Sequence, residues 1–115
     1  MEHDTIVHDI TRRLNKMCNY VWSEEDYHMD GETGESDNGG IDFVFRKKLY
    51  LVEDKRTNND KNRHKAYHQL DKAERFYKRL FHDFEPFEIV KFYAYSDKTK
   101  RRGYNVVRIK WKHQY

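Results

Sequence analysis

The sequence predicts an α+β or mixed α/β fold, a central mixed β-sheet flanked by helices, and three observations carry that expectation. Two stretches place apolar residues at helical spacing, and short runs rich in Val, Ile, Phe and Tyr lie between and after them. Their order is helix, strands, helix, strands, the arrangement of a layered sheet-and-helix domain. At 115 residues the chain suits one domain, residues 1–115, with one hydrophobic core. Hydrophobic and charged residues each make up 37%, so that core is compact under a heavily charged surface. Pro occurs once and Gly five times, which argues against a loop-dominated, disordered chain.

The first helix is expected from about Thr5 to Trp22, where Ile6, Ile10, Leu14, Met17 and Val21 recur at helical spacing. Asp4 or Thr5 can cap its start. Glu24 to Gly40 is acidic and rich in turn formers, and reads as a loop with a short strand at most, near Tyr27 to Met29. Ile41 to Arg46 and Leu49 to Arg56 read as two strands of a hairpin, since only Lys47 and Lys48 separate them. Thr57 to Asn62 is a polar turn. Arg63 to His82 is the strongest helix, with Ala66, Leu70, Ala73, Tyr77 and Leu80 along one apolar stripe. After Pro86, Glu88 to Tyr95 reads as a third strand, Asp97 to Gly103 as a basic turn, and Tyr104 to Trp111 as a last strand.

The formal charge is +3, but its distribution is more informative than its sum. Seven acids crowd Glu24 to Asp37, a segment without Lys or Arg. The bases gather later, at Arg46 to Lys48, Lys55 to Lys65, Lys98 to Arg102 and Arg108 to Lys112. A positive surface beside a carboxylate-rich cavity suits a polyanion, most commonly nucleic acid. The candidate contacts are Lys47, Lys48, Arg56, Lys61, Arg63, Lys65, Lys100, Arg101 and Arg102. Cys18 is the single cysteine, so no intrachain disulfide forms and a reducing, cytoplasmic setting is expected. No apolar run is long enough to span a bilayer, the N-terminus lacks the regions of a signal peptide, and no membrane partner is expected.

The stretch that carries chemistry is Gly40-Ile41-Asp42-Phe43-Val44-Phe45, a short turn, then Leu49-Tyr50-Leu51-Val52-Glu53-Asp54-Lys55. Side chains alternate along a strand, so Glu53 and Lys55 share a face. A turn with Lys47 and Lys48 at its tip pairs residue 46 with 49 and sets Asp42 opposite Glu53. A four-residue loop keeps that pairing; a three-residue loop moves Asp42 to the other face. Two carboxylates so placed can grip Mg2+ or Mn2+, with the Asp54 carbonyl as a further ligand. Such an ion activates water against a phosphate, and Lys55 stabilises the developing charge.

Asp42 followed by Glu53-Asp54-Lys55 after a hairpin resembles the D…(D/E)xK motif of the PD-(D/E)XK nuclease superfamily. The likeness extends over roughly Thr5 to Tyr95, and is greatest to small nucleases of the Holliday-junction-resolvase type. It implies an α-β-β-β-α-β core, metal ligation by Asp42 and Glu53, and a catalytic Lys55. Gln69 matches a glutamine that many relatives carry on the following helix. Asp9 is the first choice for a first-helix metal ligand, with Glu2, Glu25 and His8 as rivals. Ile41 stands where the motif has proline. The implied activity is Mg2+- or Mn2+-dependent endonuclease action on DNA, ahead of RNA, at branched or structured sites, with a homodimer serving two strands.

Each feature also has a plainer explanation. Acids on strands can be salt-bridged surface groups, but the apolar neighbours here make uncompensated burial costly. His64 and His68 have a metal-compatible spacing, but no Glu follows His64 and no Cys cluster completes a zinc site. The rival functions are a catalytically inactive nuclease-fold module that binds nucleic acid, and a protein-interaction module using the acidic segment as a decoy.

Overall fold

The structure is a computed structural model and describes residues 2–110. Its elements are α1 (His3–Asn15), β1 (Tyr20–Met29), β2 (Glu32–Asp42), β3 (Lys48–Lys55), α2 (Asp60–Leu80), β4 (Glu88–Ser96) and β5 (Tyr104–Ile109), with a short 3-10 turn at His82–Phe84. The strands form one sheet in the order β1-β2-β3-β4-β5. β3 and β4 run parallel and the other neighbours antiparallel. The parallel pair needs a crossover, and α2 supplies it.

Alternation along β3 divides the core in two. Leu49 and Leu51 pack with Leu70, Ala73, Tyr77 and Phe81 on the α2 side. Tyr50 and Val52 pack with Ile6, Ile10 and Leu14 on the α1 side. A strand covered on both faces reads as a continuous hydrophobic run, as β3 does. The result is a mixed α+β fold with one helix on each face of the sheet. Among the described residues, no helix is long and apolar enough to cross a membrane.

Two expectations about helices need correction. α1 stops at Asn15: the Met17 and Cys18 amides both turn back to the Leu14 carbonyl, and Tyr20-Val21-Trp22 starts a strand. Met17 and Val21 keep helical spacing only because both lean on the α1-side core. α2 starts earlier than its apolar stripe, because Asn59 caps it by accepting from the Asn62 amide at 2.8 Å. The last strand ends at Ile109; its expected end, Trp111, lies outside the described residues, as does Lys112.

The acidic segment is no loop. It forms most of a long β1–β2 hairpin, with Met29 paired to Glu32 across Asp30 and Gly31. Both turn residues have positive φ, 52° and 79°, as a two-residue type I′ turn requires.

The β2–β3 register also differs from expectation. Asp42 pairs with Lys48, and Asn38 with Val52, so the loop has five residues, Phe43 to Lys47. Asp42 is therefore not opposite Glu53. Its carboxylate accepts from the Val44, Phe45 and Arg46 amides, each at 3.0 Å, while Phe43 stacks on Phe84. A tight Lys-Lys turn would forfeit those bonds and require positive φ at two lysines.

Candidate functional site

The site begins where the β2–β3 ladder stops. The last pair is Asn38 with Val52, although β3 continues, paired to β4, as far as Lys55. Two residues beyond Val52 along β3, the Asp54 amide donates to the Asp37 carboxylate at 2.9 Å. A side chain thus replaces the next rung and satisfies a buried amide.

The β1–β2 ladder is interrupted at the same level. Ser23 pairs with Asn38 and Glu25 with Ser36, but Glu24 and Asp37 do not pair. Glu24 has a φ of 47°, left-handed backbone that costs a non-glycine residue roughly 1–2 kcal/mol. On β2, two successive side chains, Asp37 and Asn38, turn toward α1. On β1, Trp22 stacks on Tyr77 and Glu25 accepts from the Tyr77 hydroxyl, three residues apart yet both on the α2 side. On β2, Ser36 accepts from the Trp22 indole, and Gly39 lies under the same ring. Asp37 and Asn38, between them, reach His3 and the Val7 carbonyl of α1. Backbone strain of this kind is concentrated at functional positions.

Three buried carboxylates converge as a result: Asp37 is 5% exposed, Glu53 1% and Asp54 0%. Glu53 continues the α2-side series of Leu49 and Leu51, and Asp54 continues the α1-side series of Tyr50 and Val52. Asp37 lies between the two. Among the described residues, none of the four carboxylate oxygens of Glu53 and Asp54 has a hydrogen-bond partner. Burial, then the adjacent Asp37 carboxylate and the charge of Asp54, hold the Glu53 carboxyl well above its usual range, against the pull of Lys55. Burial foremost, then Asp37, pushes Asp54 up to about 8, with Lys55 opposing and Glu24 adding to the rise. Buried, unpartnered acids of one sign are costly, and a bound cation is the partner that would relieve them.

Lys55 shares the Glu53 face and lines a groove of about 670 Å³ with Lys61, His64, Lys65, His68 and Gln69. Gln69 also borders a cavity of about 570 Å³ against Tyr27 and Glu35. Its Oε1 and the Tyr27 hydroxyl are buried without partners among the described residues.

No protein family, curated protein or solved structure matches this chain.

Of the residues singled out in the sequence, Glu53, Asp54, Lys55 and Gln69 lie in this neighbourhood. Asp42 does not; it caps the loop at the far end of β2, beside Arg46. Asp9 bonds to the Tyr104 hydroxyl and pairs with Arg13 at 3.5 Å. The Tyr104 hydrogen bond is the main influence that keeps the Asp9 carboxyl below its usual value. Among the described residues, the groups of ligand atoms that could close on a metal join His3 with Asp4 and Glu24, and His3 with Asp37 and Asp54; Asp42, Asp9 and Glu53 belong to neither. Among the rivals, Glu2 pairs with Arg56 at 3.4 Å, Glu25 is held by Tyr77, and His8 is exposed.

The basic candidates separate by place. Lys61 and Lys65 line the groove, and Arg63, on the same turn of α2, is ion-paired with Asp60. Lys47 and Lys48 lie at the β2–β3 loop, with Lys48 3.7 Å from Glu88. Lys100 and Arg101 project from the β4–β5 turn, while Arg102 lies over the Tyr104 ring at 4.8 Å. Asp37, Glu24 and His3 were not singled out by sequence reasoning. The Asp30-Gly31 turn signal, which fixes the hairpin and hence which part of the acidic segment flanks β3, was available to find the first two.

Proposed function

We propose that this chain is a Mg2+- or Mn2+-dependent endonuclease that hydrolyses DNA phosphodiester bonds. One observation carries the reading: Asp37, Glu53 and Asp54 meet in a buried cluster with four unpartnered oxygens, at the end of a strand whose Lys55 opens onto a groove lined by lysines. With Asp37 in the place expected of Asp42, the motif reads Asp37…Glu53-Asp54-Lys55. The element order α-β-β-β-α-β is the one expected from resemblance to the PD-(D/E)XK superfamily, and supports the reading.

Asp37 and Glu53 are the acids that would hold the ion, with the Asp54 carbonyl as a third oxygen donor. When bound, the ion supplies Lewis-acid activation of water and neutralises charge at the scissile phosphate. Lys55, beside Glu53 on one face, places an ammonium where negative charge develops. The unpartnered Gln69 oxygen is an acceptor for a water hydrogen in the same space. Lys61 and Lys65, along the groove, engage flanking phosphates and hold the strand in register. Branched DNA is the first substrate to test, by resemblance to the small junction-resolving nucleases, and a homodimer would present one such centre to each strand.

The test is cleavage of linear, branched and single-stranded DNA and RNA with Mg2+ or Mn2+ by the wild type, Asp37→Ala, Glu53→Ala and Asp42→Ala. Loss in the first two variants with retention in Asp42→Ala is expected. Cleavage that survives in Glu53→Ala overturns the reading. Binding without cleavage in the wild type favours the inactive nucleic-acid-binding module instead.

A further inference from the structure

The carboxylate cluster has two sides, and the nuclease reading uses only the one that faces α2. On the other side, His3 of the first turn of α1 meets Asp37 and Asp54. One ligand atom from each of the three lies within 4.8 Å of the others. His3 Nε2 is 3.4 Å from Asp37 Oδ2, and the opposite ring nitrogen, Nδ1, is 3.7 Å from Asp4. A carboxylate behind the ring is the arrangement that turns the other nitrogen toward a metal. Asn38 keeps α1 seated there, donating to the Val7 carbonyl at 3.1 Å and to the Thr11 hydroxyl at 2.7 Å.

Asp54 supplies the independent sign of a ligand. It is 0% exposed, belongs to this group of three, and has neither oxygen bonded among the described residues. A protein group that merely packs would have found a partner. Glu24 brings a further carboxylate to His3 in a second group with Asp4, from the strained position where the β1–β2 ladder breaks. His3 is 35% exposed on its side chain, so solvent and ions can reach the site and water can complete the coordination.

The donor set decides the class of ion. Mg2+ takes oxygen ligands and keeps its waters, whereas an imidazole with two carboxylates suits a borderline transition ion. We propose that His3, Asp37 and Asp54 form a second cation site, on the α1 side of the sheet, selective for a divalent transition metal such as Mn2+ or Zn2+ over Mg2+. The site stands on its own geometry and does not require the chain to cleave DNA, although Asp37 is common to both centres.

Mn2+ is the probe, because pulsed electron paramagnetic resonance detects a directly bound imidazole nitrogen. In the wild type a nitrogen coupling is expected, and excess Mg2+ should leave it in place. His3→Gln, a polar replacement at the partly exposed start of α1, should abolish the coupling and weaken that site about tenfold or more with the melting temperature of the metal-free protein unchanged. Glu53→Gln, which removes the proposed catalytic ligand, should keep it. Absence of nitrogen coupling in the wild type, or its survival in His3→Gln, overturns the site. Coupling present in a wild type that cleaves nothing supports the site and overturns only the nuclease reading.

Discussion

Metal-free protein should lose stability as pH rises through neutrality, and Asp54 makes the loss calculable. Its carboxyl has an ordinary value of 3.8 and is raised to about 8 in the fold. Between those values the folded state holds a proton that the unfolded state has released. The contribution is therefore complete below pH 3.8 and is lost progressively until about pH 8. The groups that set the shift, after burial itself, are Asp37 and Glu24, which raise it, and Lys55, which lowers it. One extra proton bound corresponds to a slope of about −1.4 kcal/mol per pH unit. From pH 5.5 to pH 7.5 that is a loss of about 2.7 kcal/mol. At about 2.1 cal/mol/K per residue, the 115 residues give an unfolding entropy of about 0.24 kcal/mol/K. The melting temperature should then fall by about 11 °C across those two units, and further with Glu53 raised in the same direction. Thermal unfolding followed by circular dichroism in EDTA measures this. Asp54→Asn carries no titrating group and should flatten the fall by about that amount, while Mn2+ should reverse it in the wild type. A wild-type melting temperature that is level from pH 5.5 to 7.5, or an equal fall in Asp54→Asn, would refute the reasoning.

Asp42→Ala should lower the melting temperature by several degrees, because three loop amides lose their acceptor, yet leave metal-dependent cleavage intact below that temperature. A folded Asp42→Ala protein without activity would contradict its role as a loop cap. Gly39→Ala puts a Cβ 2.0 Å from the Trp22 ring, which stacks on Tyr77 at 4.2 Å. A loss of about 1–3 kcal/mol is expected in urea unfolding, and an unchanged midpoint would be inconsistent with that packing. Tyr77→Phe removes the 2.9 Å bond to Glu25 and should cost about 1 kcal/mol, read from the same titration.

The layered fold was legible because its signals are local. The stripe from Ala66 to Tyr77 and the apolar run of β3 mark the elements that build the two cores, and both are found where expected. The β1–β2 hairpin was hidden because Glu, Asp and Gly are poor strand formers. Those residues are tolerated there by their surroundings: Gly34 and Gly39 make room for Tyr27 and Trp22, and Glu25 has Tyr77 as a partner. Half of the site was legible, since parity along β3 fixes Glu53 and Lys55 on one face. The opposing acid was not. A β2–β3 register depends on loop length, and that length follows from Asp42 capping its own loop, an interaction that strand alternation does not encode. Asp37 and His3 lie 34 residues apart and meet only because α1 crosses the broken rung between β1 and β2.

The rung that Asp37 supplies to β3 has a use of its own. Most protected amides in a sheet exchange with solvent at rates set by backbone carbonyls, which do not change charge. The Asp54 amide is held instead by a carboxylate, whose grip weakens when it turns to a cation. Its deuterium exchange is thus a built-in gauge of the cluster, legible in one resonance without any label in the site.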